Sequence, residues 1–349
     1  MKEDNNFIYF LKKSLPSIAI IVIFALIAYG QRILSNSFSI DTEVYMYNIE
    51  NTVNWDWWNS LNRWGLVWIN KVFQMNAFPI FAANITTFIT IILYSIGFNY
   101  IFYINMKEEW KEKFLKISFI FPIIFITNPI WAEQYNFIHQ SFGVALGILL
   151  IPVSIYLFER ASIIENRIEK VFVYAIGITL AVISFGVYQA IILMYIATVA
   201  FCYFFRVLKE NNNSWKYLLK NVFLFVCIVI IYEIITKITG EKASYLQIAW
   251  QKDGIKICLR NIYYVIKDVV KCQTIFYNIG YLIGMLLLFV SIIYLSIKRK
   301  MKLGLLLSII AIILAPFYIM IVTGVNQFYR TQFNYSLTVG FLLLAGVLI

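Results

Sequence analysis

The sequence predicts an all-α polytopic membrane protein, with about ten transmembrane helices and interfacial helices in its outer loops. Three observations predict it. Hydrophobic residues make up 61% of the 349 positions and charged residues 13%, against roughly 25% charged in a soluble domain. Stretches of about 20 mostly apolar residues, the length that crosses a bilayer core, recur along the whole chain. Lysines and arginines gather in alternate gaps between those stretches, as cytoplasmic loops do.

The apolar runs fall at residues 15–33, 78–104, 117–131, 142–158, 171–185, 187–205, 222–235, 279–297, 303–323 and 335–349. The first follows Lys12 and Lys13 and lacks a small-residue cleavage site, so it reads as an uncleaved first span. Alternate connections carry Lys107, Lys111, Lys113 and Lys116, then Arg160, Arg167 and Lys170, then Arg206, Lys209, Lys216 and Lys220, then Lys298, Arg299, Lys300 and Lys302. The opposite connections at 128–140 and 185–189 hold no Lys or Arg, and 325–334 holds only Arg330. This asymmetry places the amino terminus and the basic loops in the cytoplasm. Two outer connections are long, about 34–77 and 236–278; such segments are translocated largely regardless of charge. The last run makes only about 22 Å of helix and no basic anchor follows it, so the chain is expected to be truncated at its carboxyl end. Residues 1–349 read as one transmembrane domain.

The formal net charge of +11 does not mark a nucleic-acid binder, because the basic residues are dispersed among the connections rather than gathered on one face. Cys202 and Cys227 lie in apolar runs, Cys258 and Cys272 in a polar segment, and none has metal-ligand spacing; all four are expected to be unpaired. Gly-rich phosphate loops, zinc-protease helices and nucleophile elbows are absent. No metal or other cofactor is expected, and the surrounding lipid is the default partner.

The most informative stretch is 37–71, which concentrates acids, amides and five tryptophans. Met46, Ile49, Val53 and Trp57 share one helical face and Glu43, Tyr47, Glu50 and Asn54 another, the pattern of a helix lying at the interface. Its tryptophans fit an aromatic belt or a sugar-stacking surface. Asp41 and Glu43 stand two positions apart, so a continuous helix would point them in nearly opposite directions. Asp41 suits an N-cap and Glu43 a first-turn acid facing the helix dipole; either also suits a general base.

Ser39-Ile40-Asp41-Thr42-Glu43, followed about twenty residues later by Asn62-Arg63-Trp64-Gly65-Leu66-Val67, resembles the type II O-antigen glucosyltransferase (Gtr) family. That family carries an acidic DTE-like motif and then G-R-W/F-G; here Asn62 stands where Gly is usual. Echoes continue in Asn128-Pro129 through Glu133, in Tyr188-Gln189 and around Arg330. The resemblance implies a GT-C-like membrane enzyme of the bacterial inner or plasma membrane. Such an enzyme moves a hexose, here glucose, from a polyprenyl-phosphate sugar to a surface polysaccharide or glycolipid on the outer face. It implies Glu43 or Asp41 as catalytic base, with Glu43 placed first because Asp41 has the stronger capping alternative. Arg63 and Arg330 would hold the donor phosphate, and Trp57, Trp58, Trp64, Tyr188 and Gln189 the sugar or acceptor. A polysaccharide polymerase, flippase or other lipid-linked carrier is the alternative. A carrier would display acids or broken helices near the bilayer midplane, whereas here the acids cluster outside.

Three weaker features have structural readings. His139, the single histidine, suits a satisfied polar residue better than a metal ligand. Glu233 and Lys237 are spaced to pair on a helix, and Gly143 and Gly147 to let two helices approach. The basic and aromatic segment 237–271 suits a second interfacial helix or a wall of the acceptor groove.

Overall fold

The computed structural model describes residues 7–35, 55–74, 80–209, 214–239, 249–298 and 303–349. The described residues are helical with short connections. In chain order the helices are α1 (Phe7–Leu34), α2 (Trp55–Ser60), α3 (Trp64–Val72), α4 (Ile80–Asn105), α5 (Glu108–Ile117), α6 (Ile120–Ile126), α7 (Pro129–Tyr135), α8 (Ile138–Ile163), α9 (Arg167–Val187), α10 (Ala190–Lys209), α11 (Ser214–Thr239), α12 (Ala249–Lys252), α13 (Ile255–Val270), α14 (Gly280–Lys298), α15 (Leu303–Leu314), α16 (Tyr318–Thr323) and α17 (Phe333–Leu348). Among the described residues, seven helices are long and apolar enough to cross a membrane: α1, α4, α8, α9, α10, α11 and the stretch Leu303–Thr323. Two shorter apolar helices, Gly280–Tyr294 and Phe333–Leu348, accompany them. The chain is therefore an all-α membrane protein.

The apolar run at 117–131 does not form one span. It is divided among the end of α5, α6 and the start of α7, and the sequence supplies the reason at the last break. Asn128 is extended (ψ 136°) and its side chain accepts the Ile130 N–H, with Pro129 in the first turn, a preorganised helix start that ends whatever precedes it. Pro316 likewise interrupts Leu303–Thr323 with a 3₁₀ turn at Ala315–Phe317. Asn166 caps α9 by accepting from Ile168 and Glu169, which lets the chain turn back after α8.

The core is aromatic and centres on α17, which is mostly apolar and buried along most of its length, as suits a helix without a charged face. Phe341 stacks on Phe201 at 4.1 Å, and Trp131 stacks on Phe333 at 4.8 Å. Small residues let the other helices close. Gly147 faces Val187 and Ile191, and Gly143 faces Leu66, the close contact that their spacing predicts. Among the described residues Glu233 and Lys237 make no ion pair with each other; both are exposed. The four cysteines are free.

The two ends of the bundle differ. At the basic end Arg206 donates from Nε to Asn105 Oδ1 at 2.7 Å and pairs with Glu159, which also accepts from Lys220 at 3.0 Å. This network ties α4, α8, α10 and α11 together. The opposite end brings together α2, α3, the α7–α8 connection, the α9–α10 break and the turn at Tyr329–Thr331.

Candidate functional site

The site begins at Asn62, whose φ of 59° lies in the left-handed region that glycine enters freely and asparagine tolerates better than other side chains. A turn of this shape explains both the glycine usual in the resembled motif and the asparagine found here. It delivers Arg63 to the N-cap position of α3. Gly65 then fixes α3 against α9: a Cβ at Gly65 would come within 2.6 Å of the Ile183 carbonyl oxygen and the Gly186 carbonyl carbon. Trp64 lies over Gly186 and donates from Nε1 to Thr236 Oγ1 at 3.1 Å. The three consecutive residues thus have separate tasks, with Gly65 and Trp64 setting the helix and Arg63 projecting from its start.

Arg63 Nη1 donates to Gln140 Oε1 at 3.0 Å, and its guanidinium lies 4.2 Å from the centre of the Tyr188 ring. Tyr188 is extended (φ −158°, ψ 122°) between α9 and α10, so the chain reverses there with Gln189 beside it. Gln189 Nε2 donates to the Tyr232 hydroxyl at 3.4 Å. Arg330, on the Tyr329–Thr331 turn, lies over Phe137 at 4.8 Å and Phe328 at 4.9 Å. Both arginines therefore rest on aromatic faces, which hold a guanidinium in place without using its N–H donors.

One narrow cleft, enclosing about 30 Å³, is lined by Arg63, Tyr188, Gln189, Gln327, Phe328 and Arg330 among others. Four of the residues assigned from the sequence to donor and sugar binding thus meet there, although they come from three distant parts of the chain. The tryptophans do not line it. Trp57 is exposed, Trp58 is buried and stacked flat on His139 at 5.4 Å, and Trp64 braces α3. Asp41 and Glu43, and most of the interfacial helix expected around them, lie outside the described residues.

Two neighbours of the cleft were not assigned from the sequence. Gln140 is buried and orients Arg63. Glu133, half-buried on α7, has one carboxylate oxygen, Oε2, buried without a hydrogen-bond partner. Burial raises its pKa, and the nearby charge of Arg330 and a hydrogen bond from the Arg330 backbone oppose that rise. The stretch from Glu133 to Gln140 consequently touches both arginines: Phe137 and Glu133 meet Arg330, and Gln140 meets Arg63. Among the described residues no group of three His, Cys, Asp or Glu is arranged to hold a metal ion.

The family model for glucosyl transferase GtrII matches residues 30–346. The chain belongs to the glucosyl transferase GtrII family. Neither a curated protein nor a solved structure matches it. As a GtrII glucosyl transferase the protein is a glycosyltransferase, and it has a sugar donor and an acceptor to bring together. In this GtrII chain, the cleft between Arg63 and Arg330 is the place where two cations and polar side chains converge.

Proposed function

We propose that this protein transfers a glucosyl unit from a polyprenyl-phosphate sugar to a surface polysaccharide or glycolipid, at the outer face of the bacterial inner or plasma membrane. The observation that carries the proposal is the pairing of Arg63 and Arg330 on one cleft at the end of the bundle opposite the basic loops. The loop asymmetry supports a cytoplasmic amino terminus and an outward-facing cleft. A lipid-linked donor also accounts for the absence of a nucleotide-binding loop from the sequence.

The chemistry balances as follows. The acceptor hydroxyl oxygen forms a bond to the anomeric carbon as the bond from that carbon to the phosphate oxygen breaks. The hydroxyl proton passes to a carboxylate, Glu43 or Asp41, and the polyprenyl phosphate departs carrying the negative charge. The guanidinium forks of Arg63 and Arg330 suit phosphate oxygens and would stabilise that charge as it develops. Gln189 and Tyr188, which line the cleft, would meet the sugar or acceptor.

The test is transfer of labelled glucose from a polyprenyl-phosphate donor in membranes, comparing wild type with Asp41→Asn and Glu43→Gln. Loss of the base lowers turnover by about 10²–10⁴-fold at normal protein abundance. A carboxylate that only caps a helix or faces its dipole loses little on becoming an amide. Wild-type rates from both single variants and from the double variant would end the assignment. Loss of the whole surface polymer on gene deletion, rather than of one side-chain sugar, would favour a polymerase or carrier instead.

A further inference from the structure

Helix α13 presents three lengthwise stripes, with Ile257, Asn261 and Asp268 on the remaining face between the basic and the buried ones. Successive residues turn by about 100° around a helix, so Ile255, Leu259, Tyr263, Ile266 and Val270 form one stripe, and these five are between 36% and 68% exposed. Lys256, Arg260, Tyr264, Lys267 and, at the C-cap, Lys271 form the next. Cys258, Val265 and Val269 form a third, which is buried. The exposed apolar stripe lies between the buried stripe and the basic one. Water alone does not account for five large apolar side chains in a row.

The level of the helix is set by its attachments. Trp250, just before it, donates from Nε1 to the Ile321 carbonyl at 2.9 Å, Asn261 Nδ2 donates to the Gly324 carbonyl at 3.0 Å, and Cys258 packs against Gly324. Gly324, left-handed at φ 73°, is the C-cap that ends the span Leu303–Thr323. α13 therefore lies at the membrane boundary on the side of the cleft. Farther along, Tyr277 donates to the side chain of Gln332 and Phe276 stacks on Tyr329 at 4.2 Å. The segment that contains α13 thus grips the Arg330 loop at both of its ends.

We infer that α13 is a membrane-surface anchor for anionic phospholipid headgroups: its apolar stripe enters the acyl boundary, its basic stripe meets lipid phosphates, and the anchored segment braces the loop that carries Arg330. Lysine and arginine stems can lie along the apolar layer while their charged ends reach the phosphates, and tyrosine favours the same depth. Each basic residue near an anionic surface strengthens association by about fivefold.

The full chain is placed in nanodiscs of phosphatidylcholine alone and of phosphatidylcholine with phosphatidylglycerol, and amide hydrogen exchange is followed at residues 255–270 and 324–332. Phosphatidylglycerol slows exchange in both segments of the wild type by several-fold. In the K256Q/R260Q/K267Q/K271Q variant that difference disappears, while the apolar stripe keeps the helix equally protected in both lipids. Leu259→Ser, an exposed change, speeds exchange at 255–270 in both lipids. Equal exchange of the wild type in the two lipids overturns the inference. So does protection of 255–270 that arises only when soluble acceptor polysaccharide is added, which would make the stripe a glycan-binding wall. The lipid response is read without sugar transfer, so it stands or falls separately from the proposed reaction.

Discussion

Arg63 and Arg330 share a cleft but are held differently, the first by a side-chain amide and the Tyr188 ring and the second by two phenyl rings. Lysine keeps the charge and loses the planar fork. Arg63→Lys and Arg330→Lys are each expected to lower kcat/KM for the lipid donor by about tenfold or more, in line with the roughly 1.5–3 kcal/mol of a charge-assisted hydrogen bond. Near-normal transfer by Arg330→Lys at normal abundance would reduce that arginine to a surface anchor. Glu133 offers a test with a definite sign. Because burial raises its pKa, the folded protein favours the protonated form, and that contribution is lost as pH rises through the raised value. Glu133→Gln mimics the protonated acid, so its thermal stability in detergent should exceed that of wild type at neutral pH and the gap should close near pH 4. A gap of opposite sign would mean that Arg330 outweighs burial. Arg330 was legible in the sequence as the only charge in its connection, and Arg63 and the Tyr188-Gln189 pair through the motifs that resemble the family. Gln140 and Glu133 were not, since what marks them is a contact with side chains far along the chain.

Among the elements, α3 depends most on a single residue. Adding one methyl group at Gly65 collides with the α9 backbone, which cannot step aside as a flexible side chain can. Gly65→Ala is expected to cost about 1–3 kcal/mol, as overpacking does, and to weaken transfer because Arg63 moves with its helix. Gly30→Ala is the control. It lies within α1 with nothing within 4 Å of the added carbon, and in a helix interior alanine is favoured over glycine by roughly 0.5–1 kcal/mol. Equal melting temperatures for the two variants would refute the backbone contact. Most spans could be read from hydropathy because lipid demands the same apolar length of each. The run at 117–131 could not, since hydropathy sees the apolar content of α6 and misses the helix start that Asn128 and Pro129 build beside it.

For the whole molecule the separation of a basic end from a cleft end makes an accessibility prediction. In a background with the native cysteines replaced by serine, Asn136→Cys should react with an impermeant thiol reagent added outside intact cells, and Glu165→Cys should not. Both positions are exposed, so burial does not confuse the comparison. The reverse labelling would overturn the orientation and remove the outward-facing cleft with it. The stretch from Glu133 to Gln140 has one more consequence. Phe137, which supports Arg330, and Gln140, which supports Arg63, are three residues apart at the start of α8, so helical phase is the ruler that sets one guanidinium against the other. Inserting a single alanine after Ile138 would turn Gln140 by about 100° and shift it by about 1.5 Å relative to Phe137. The same insertion after Glu165, in the connection between α8 and α9, changes no such phase. The chain should therefore tolerate a change of length at its basic end that abolishes transfer at its cleft end, with both proteins inserted in equal amounts.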